Sequence, residues 1–325
     1  MKGFDERWRD LPDYILGITH EIWEQRGLAT LHDYYAKDLP MRFPSGLLVG
    51  NQAVIDGTLA TLAEFPDRQL LGEDVIWSGD EEQGFLSSHR LITTGTHLGH
   101  GLFGKPTGKR FEARAIADCA VKDNVIYDEW LVRDTSAIVK QLGMKPKRFT
   151  RKLIQREGGP KHCTKPFTPE QDVDGGYQTQ GNENEWGQRL ADILSSMMCK
   201  DFSVIRREYD RACRIEHPGG AGGWSWDFVD QVWMQLRSAF PTATFSIDHQ
   251  IGRSDPHQLH RAAVRWSLSG KHSGAGNFGR PSGAEVYIMG FTHAEFGPWG
   301  LKREYTLFDE ISVWKQILLH RGDGA

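Results

Sequence analysis

One stretch of this chain is written twice, and that repetition limits what the chain can fold into more than any other feature. Residues 90–134 recur at 265–309: Arg90 falls on Arg265, 175 positions on, Gly95 on Gly270 and His97 on His272, without a gap. Gly99, Gly101, Phe103, Gly104, Pro106 and Gly108 then meet Gly274, Gly276, Phe278, Gly279, Pro281 and Gly283, and Glu129, Asp134 and Gln141 meet Glu304, Asp309 and Gln316. One offset held over such a span reads as a tandem duplication, each copy a folding unit of its own. At 325 residues there is room for two domains of roughly 100 to 200 residues each. We read residues 1–145 as the first domain and 186–325 as the second. Residues 146–185 have no counterpart and no apolar period, and read as a linker.

Each copy begins helical. Ile15, Ile18, Ile22, Leu28, Leu31, Tyr34 and Tyr35 recur at helical spacing in the first. Gly27 divides them, Pro40 and Pro44-Ser45-Gly46 end them, and a further helix spans residues 51–64 up to Phe65-Pro66-Asp67. The period then changes. Val75-Ile76-Trp77, 84–96, 110–121 and 125–132 are rich in β-branched and aromatic residues and separated by turn signals, which predicts four strands. Helices succeeded by hairpin-linked strands predict an α+β class, with a curved antiparallel sheet packed on N-terminal helices. In the second copy the helical stripe runs from Leu190 through Met198, Phe202 and Ile205 to Tyr209.

A formal charge of −4 gives no reason to expect nucleic acid or an anionic membrane as a partner, and the short basic run in 145–148 reads as part of a solvated tether. No apolar run approaches the roughly 18 residues of a membrane span. Cys119, Cys163, Cys199 and Cys213 show no CxxC spacing, so free thiols in a reducing, cytoplasmic setting are expected. His89, His97 and His100, and His257 with His260, lack the spacing of zinc ligands on one element, so no metal site is expected.

The run Thr94-Gly95-Thr96-His97-Leu98-Gly99, then Gly104-Lys105-Pro106-Thr107-Gly108-Lys109, then Glu129-Trp130-Leu131-Val132-Arg133-Asp134, resembles the SnoaL-like polyketide cyclase family. The resemblance spans residues 12–145 and, more weakly, 186–320. It implies a nuclear transport factor 2-like fold, a cone whose bent sheet and helices enclose a deep pocket. Two such cones in one chain imply an intramolecular pseudo-dimer, with further homo-oligomerisation open. It also implies cofactor-independent chemistry on a small-molecule substrate, an aspartate serving as general acid and base in an aldol closure.

By motif position that aspartate is Asp134, with Asp309 as its second copy. Strand alternation would turn Trp130, Val132 and Asp134 to one side, and a partly desolvated carboxylate there would have a raised pKa suited to proton transfer. Asp134 followed by Thr135-Ser136 is equally a helix N-cap. The histidine implied by the resemblance is missing, since position 120 is Ala and its equivalent is Glu295. Asp118 and His293 stand two residues earlier, so the candidate groups are the pair Asp118 and Asp134 in the first copy and the trio His293, Glu295 and Asp309 in the second. His97 and His272 are either pocket-rim groups or structural. Arg90 and Arg265 bind a substrate anion or pair with a local acid such as Glu129 or Glu304. Trp130 is a candidate pocket wall. The reading is a cyclase, lyase or isomerase of small, partly apolar carbonyl compounds. The alternative is a binding protein in which one or both pockets are degenerate.

Overall fold

The computed structural model describes residues 1–322. In the first unit, helix α1 (Leu11–Thr19) starts where Asp10 accepts a bond from the Asp13 amide at 2.8 Å and Pro12 occupies the first turn. A π-type turn at His20–Glu24 leads to the short α2 (Leu31–Tyr34), and Tyr14, Ile15, Ile18, Ile22, Leu31 and Tyr34 are the buried stripe. Next come strands β1 (Pro40–Phe43) and β2 (Gly46–Val49), helix α3 (Asn51–Glu64), and the long strands β3 (Gln69–Asp80), β4 (Gly84–Thr96), β5 (Arg110–Lys122) and β6 (Val125–Arg133). The unit closes with α4 (Thr135–Gln141).

The four long strands lie where the sequence predicted them. The sheet, however, has six strands in the order β2-β1-β6-β5-β4-β3, and β1 runs parallel to β6, with Met41 opposite Glu129 and Arg42 opposite Trp130. It is therefore mixed, where an antiparallel sheet was expected. Pro40 and Pro44-Ser45-Gly46 do more than stop a helix. They frame a hairpin, and the run from β2 through α3 and β3–β5 lies between β1 and β6, the long connection that a parallel pair requires.

Within residues 146–185, Pro146–Arg156 is helix α5, grouped with the second unit, where Ile154 and Cys163 pack on Leu318 and Lys315 Nζ lies 2.6 Å from Glu157 Oε2. Residues 167–179 group with the first unit: the Phe167 amide donates to Pro44 at 3.1 Å, and Asp172 pairs with Arg42.

The second unit repeats the order. Its elements are α6 (Glu185–Met198), α7 (Val204–Glu208), β7 (Tyr209–His217), β8 (Ala221–Trp224), α8 (Ser225–Ala239), β9 (Thr244–Arg253), β10 (His260–Lys271), β11 (Glu285–Gly297), β12 (Gly300–Phe308) and α9 (Glu310–His320). The sheet runs β8-β7-β12-β11-β10-β9, with β7 parallel to β12. Tyr209, expected to be the last residue of the helical stripe, instead opens β7.

The glycine-rich loops have a packing reason. A Cβ on Gly99 would lie 1.9 Å from the Ala63 carbonyl oxygen, and one on Gly274 would lie 1.9 Å from that of Ser238, so each loop is pressed onto the end of the preceding helix as only glycine allows. No helix among the described residues is long and apolar enough to cross a membrane.

Candidate functional site

The strand register decides which face looks into the first unit. Across β4, β5 and β6, Arg90 pairs with Ile116 and Ile116 with Val132, while His89 pairs with Ala117 and Ala117 with Leu131. The second row faces the helices. His89, Leu91 and Thr93 of β4, Ala115 and Ala117 of β5, and Glu129, Leu131 and Arg133 of β6 line a cavity closed on the other side by Trp23, Tyr35, Val54 and Thr58. Its volume is about 110 Å³. Alanines at alternate positions of β5 create that room, since successive same-side residues of a strand form the wall.

Five ionisable groups line this cavity: Glu129, His89, Arg68, Arg133 and Tyr35, whose hydroxyl burial pushes well above its ordinary value. Glu129 is 4% exposed, and burial pushes its carboxyl up to about 8, although Arg133 and the facing Tyr35 hydroxyl pull the other way. It is therefore protonated over most of the neutral range. Burial also pushes the buried His89 down to about 4, so its imidazole is neutral, and its Nδ1 has no hydrogen-bond partner among the described residues. Arg68, in the turn between α3 and β3, donates through Nε to Thr93 Oγ1 at 3.1 Å. Burial, with Arg133 and Arg26 nearby, lowers it to about 9. Arg133 is accessible to solvent although protein crowds it closely enough to lower its pKa by desolvation, as befits a side chain on a cavity wall. Such a set can give and take a proton at Glu129 and place positive charge beside a developing oxyanion.

The residues singled out by sequence lie elsewhere. Alternation was expected to turn Trp130, Val132 and Asp134 inward; the register turns Glu129, Leu131 and Arg133 inward instead, one position out of phase. Asp134 caps α4, accepting from the Ala137 amide at 2.9 Å. Asp309 caps α9, accepting from the Ile311 amide at 3.0 Å and the Ser312 hydroxyl at 2.9 Å. Asp118 is buried opposite Trp130, four residues along β5 from Arg114, whose carbonyl receives the Asp134 amide, so Asp118 and Asp134 do not meet at one point of the cavity. Arg90 pairs with Glu73 at 3.1 Å on the same outer face.

His97 Nδ1 lies 3.2 Å from Thr107 Oγ1, and its ring packs on Phe65 and Phe103 at the base of the glycine loop. Glu64 accepts from the Leu102 and Phe103 amides at 2.8 and 2.7 Å and fastens that loop. His272 repeats the arrangement with Ser282 at 2.9 Å and with Phe240 and Phe278. In the second unit His293 is fully buried opposite Tyr305, Glu295 binds Arg303 at 2.7 Å, and Arg265 influences Asp248 and His249. Among the described residues no group of three or more His, Cys, Asp or Glu is placed to hold a metal ion.

The second unit keeps two members of the cavity set, as Glu304 and Tyr209. Glu304, the repeat of Glu129, has no exposed surface and accepts from Tyr209, from Trp233 Nε1 at 3.0 Å and from Thr306 Oγ1 at 2.7 Å, with His217 Nε2 at 3.1 Å. Burial alone would raise its pKa; the bonds from His217, Tyr209 and Thr306 outweigh it and hold the carboxylate below its ordinary value. Val264, Ala243 and Phe308 stand at the repeats of His89, Arg68 and Arg133. Trp266, at the repeat of Leu91, lies over Gly290, where a Cβ would come within 2.2 Å of its ring. Trp233, Trp266 and Phe308 are buried together in the core of the second unit, where the first unit has Leu91 and Arg133 at the positions of Trp266 and Phe308.

Sequence reasoning gives no site role to Arg68, Arg133 or Tyr35, treats Glu129 only as a partner for Arg90, and considers His89 only as a metal ligand. A signal is present all the same: Glu129 with Tyr35 recurs as Glu304 with Tyr209, and Ala113, Ala115 and Ala117 mark a small-residue strand face.

The family model described as SnoaL-like polyketide cyclase matches residues 14–142. Among solved structures, wild-type IdmH from Streptomyces antibioticus is 26% identical and aligns over 41% of this chain and 98% of its own, with a TM-score of 0.35. AclR from Streptomyces galilaeus is 18% identical over 41% of this chain and 83% of its own, with a TM-score of 0.36. The SnoaL-like protein of Jannaschia sp. CCS1 is 12% identical over 42% and 96%, with a TM-score of 0.35. No curated protein matches the chain.

Proposed function

With residues 14–142 matching the model of the SnoaL-like polyketide cyclase family, we propose that the first unit is a cofactor-independent acid-base enzyme. Its substrate is a small, partly apolar carbonyl compound, and its reaction an aldol-type closure or cleavage, an isomerisation or an elimination. Glu129 moves the proton. The observation that supports this is a carboxyl shifted to about 8 at the inner end of an apolar-walled cavity, where a group near the working pH is the most effective acid or base. His89 is neutral and can donate or accept one hydrogen bond, and the two guanidiniums can stabilise an enolate.

The second unit we read as the degenerate partner, since its carboxylate is already saturated by protein donors and its core is packed with rings. The four cysteines are free thiols, which favours the reducing cytoplasm as the place of action. The test is a panel of small keto esters, aldols and lactones monitored by mass shift. Turnover abolished in Glu129→Gln but kept in Asp134→Asn and Glu304→Gln supports the reading. Turnover lost in Asp134→Asn and kept in Glu129→Gln returns the chemistry to the aspartate. No turnover, with ligand-induced melting shifts intact, favours a binding protein.

A further inference from the structure

We propose that the cavity of the first unit binds an organic acid, with the carboxylate held between Arg68 and Arg133 and an apolar body extending inward toward Glu129. This rests on the reading above only in treating the bound acid as a substrate.

Elsewhere in this unit, buried arginines come with carboxylates. Arg42 is paired with Asp128 and Asp172, and Arg90 and Arg114 share Glu73. Arg68 breaks that pattern, and Arg133, on the same cavity wall and open to solvent, has no carboxylate partner among the described residues either. Arg68 is 8% exposed, spends its Nε on Thr93, and makes no other side-chain bond among the described residues. Arg133 packs its guanidinium over the Phe43 ring, 5.6 Å from the centroid, and no carboxylate lies within ion-pair distance of it among the described residues. Arg68 is buried without a counter-ion and feels the charge of Arg133, while Arg133 is open to solvent and, among the described residues, is offset only by Glu129 farther along the wall, so the repulsion between the two guanidiniums is only partly compensated. An anion between them would relieve it, and a planar carboxylate suits the donor fork of arginine.

The arrangement along the strand gives the ligand its polarity. Arg133 lies four residues beyond Glu129 on β6, about 13 Å between backbones at the usual strand rise. Ala115 and Leu91 stand in register with Arg133, and between it and Glu129 lie Leu131, Ala117 and neutral His89, a lining that suits a flat apolar body. Both arginines are absent from the second unit, where Ala243 and Phe308 stand at their positions.

The experiment is calorimetric titration of the full chain at neutral pH with benzoate, cinnamate and 2-naphthoate, each against its carboxamide of the same shape. The wild type should bind at least one acid about tenfold or more tightly than its amide. In the Arg68→Gln/Arg133→Gln double variant that preference should fall to within about twofold, while the melting temperature holds or rises because a repulsion has been removed. Glu129→Gln should keep the preference for the acid even where turnover is lost, so failure of the catalytic reading and failure of this proposal are separable. The proposal is overturned if no acid binds, if amides bind as well as acids, if the preference survives in the double variant, or if that variant loses stability, which would make the arginines structural.

Discussion

The same substitution at the two copies of one motif position should have opposite effects. Glu129 has its carboxyl at about 8 in the folded chain against about 4.5 for an ordinary glutamate, so the native state binds this proton more tightly than the unfolded chain. Stability from this group is complete below about pH 4.5, falls as pH rises toward 8, and is flat beyond. At about 1.4 kcal/mol per pH unit the full change approaches 5 kcal/mol. Water entering the cavity screens part of it, leaving about 2–5 kcal/mol. Glu129→Gln imitates the protonated acid. It should be nearly neutral at pH 4.5 to 5 and stabilising by about 2–5 kcal/mol at pH 8. Glu304 is the reverse case, an ionised group held by Tyr209, Trp233, Thr306 and His217. Glu304→Gln turns an amide toward these donors and should cost about 3–5 kcal/mol at neutral pH, the deficit shrinking as pH falls through the depressed pKa of Glu304. Urea unfolding from pH 4.5 to 8.5, with hydrogen exchange resolving the two units, measures both. Shifts of the same sign, or a Glu129→Gln effect independent of pH, would refute the assignment of the two environments.

Asp134→Asn should leave stability within about 0.5 kcal/mol, because asparagine caps as well as aspartate, whereas Asp134→Ala should lose about 1 kcal/mol in thermal unfolding. Glu64→Ala strips the acceptors from the Leu102 and Phe103 amides and should cost about 2–4 kcal/mol, with exchange of residues 99–104 accelerated first. Trp233→Ala should cost about 3–5 kcal/mol in the second unit through the void and the lost bond to Glu304, and should leave turnover by the first unit unchanged.

Much of the fold was legible because its signals are local or repeated. The duplication announced two units, the long strands declare themselves by β-branched runs, and the glycine loop is spelled out in both copies. The β1–β2 hairpin was hidden because Pro40 and Pro44-Ser45-Gly46 signal an end to helix without specifying the strands they frame, and because its pairing to β6 joins residues about ninety apart. The facing of β6 was misread by one position of strand phase. Asp134 belongs to a helix cap rather than to the alternation of β6, and counting back from it assigned Trp130 to the pocket in place of Glu129. Nothing local marks which face of a strand is inward when both faces are buried, as on β4 and β5. Arg68 lies in a turn, and only the folded chain brings it beside Arg133.

The most direct test of Glu129 as the proton-transfer group needs no knowledge of the natural substrate. Small aryl keto acids would be incubated with the protein in heavy water and deuterium uptake at the carbon beside the carbonyl measured by mass spectrometry across pH 6 to 9.5. The account predicts catalysed exchange that rises with an apparent pKa near 8, falls at least about a hundredfold in Glu129→Gln, and persists in Asp134→Asn and Glu304→Gln. Exchange undiminished in Glu129→Gln, or abolished in Asp134→Asn alone, would contradict it.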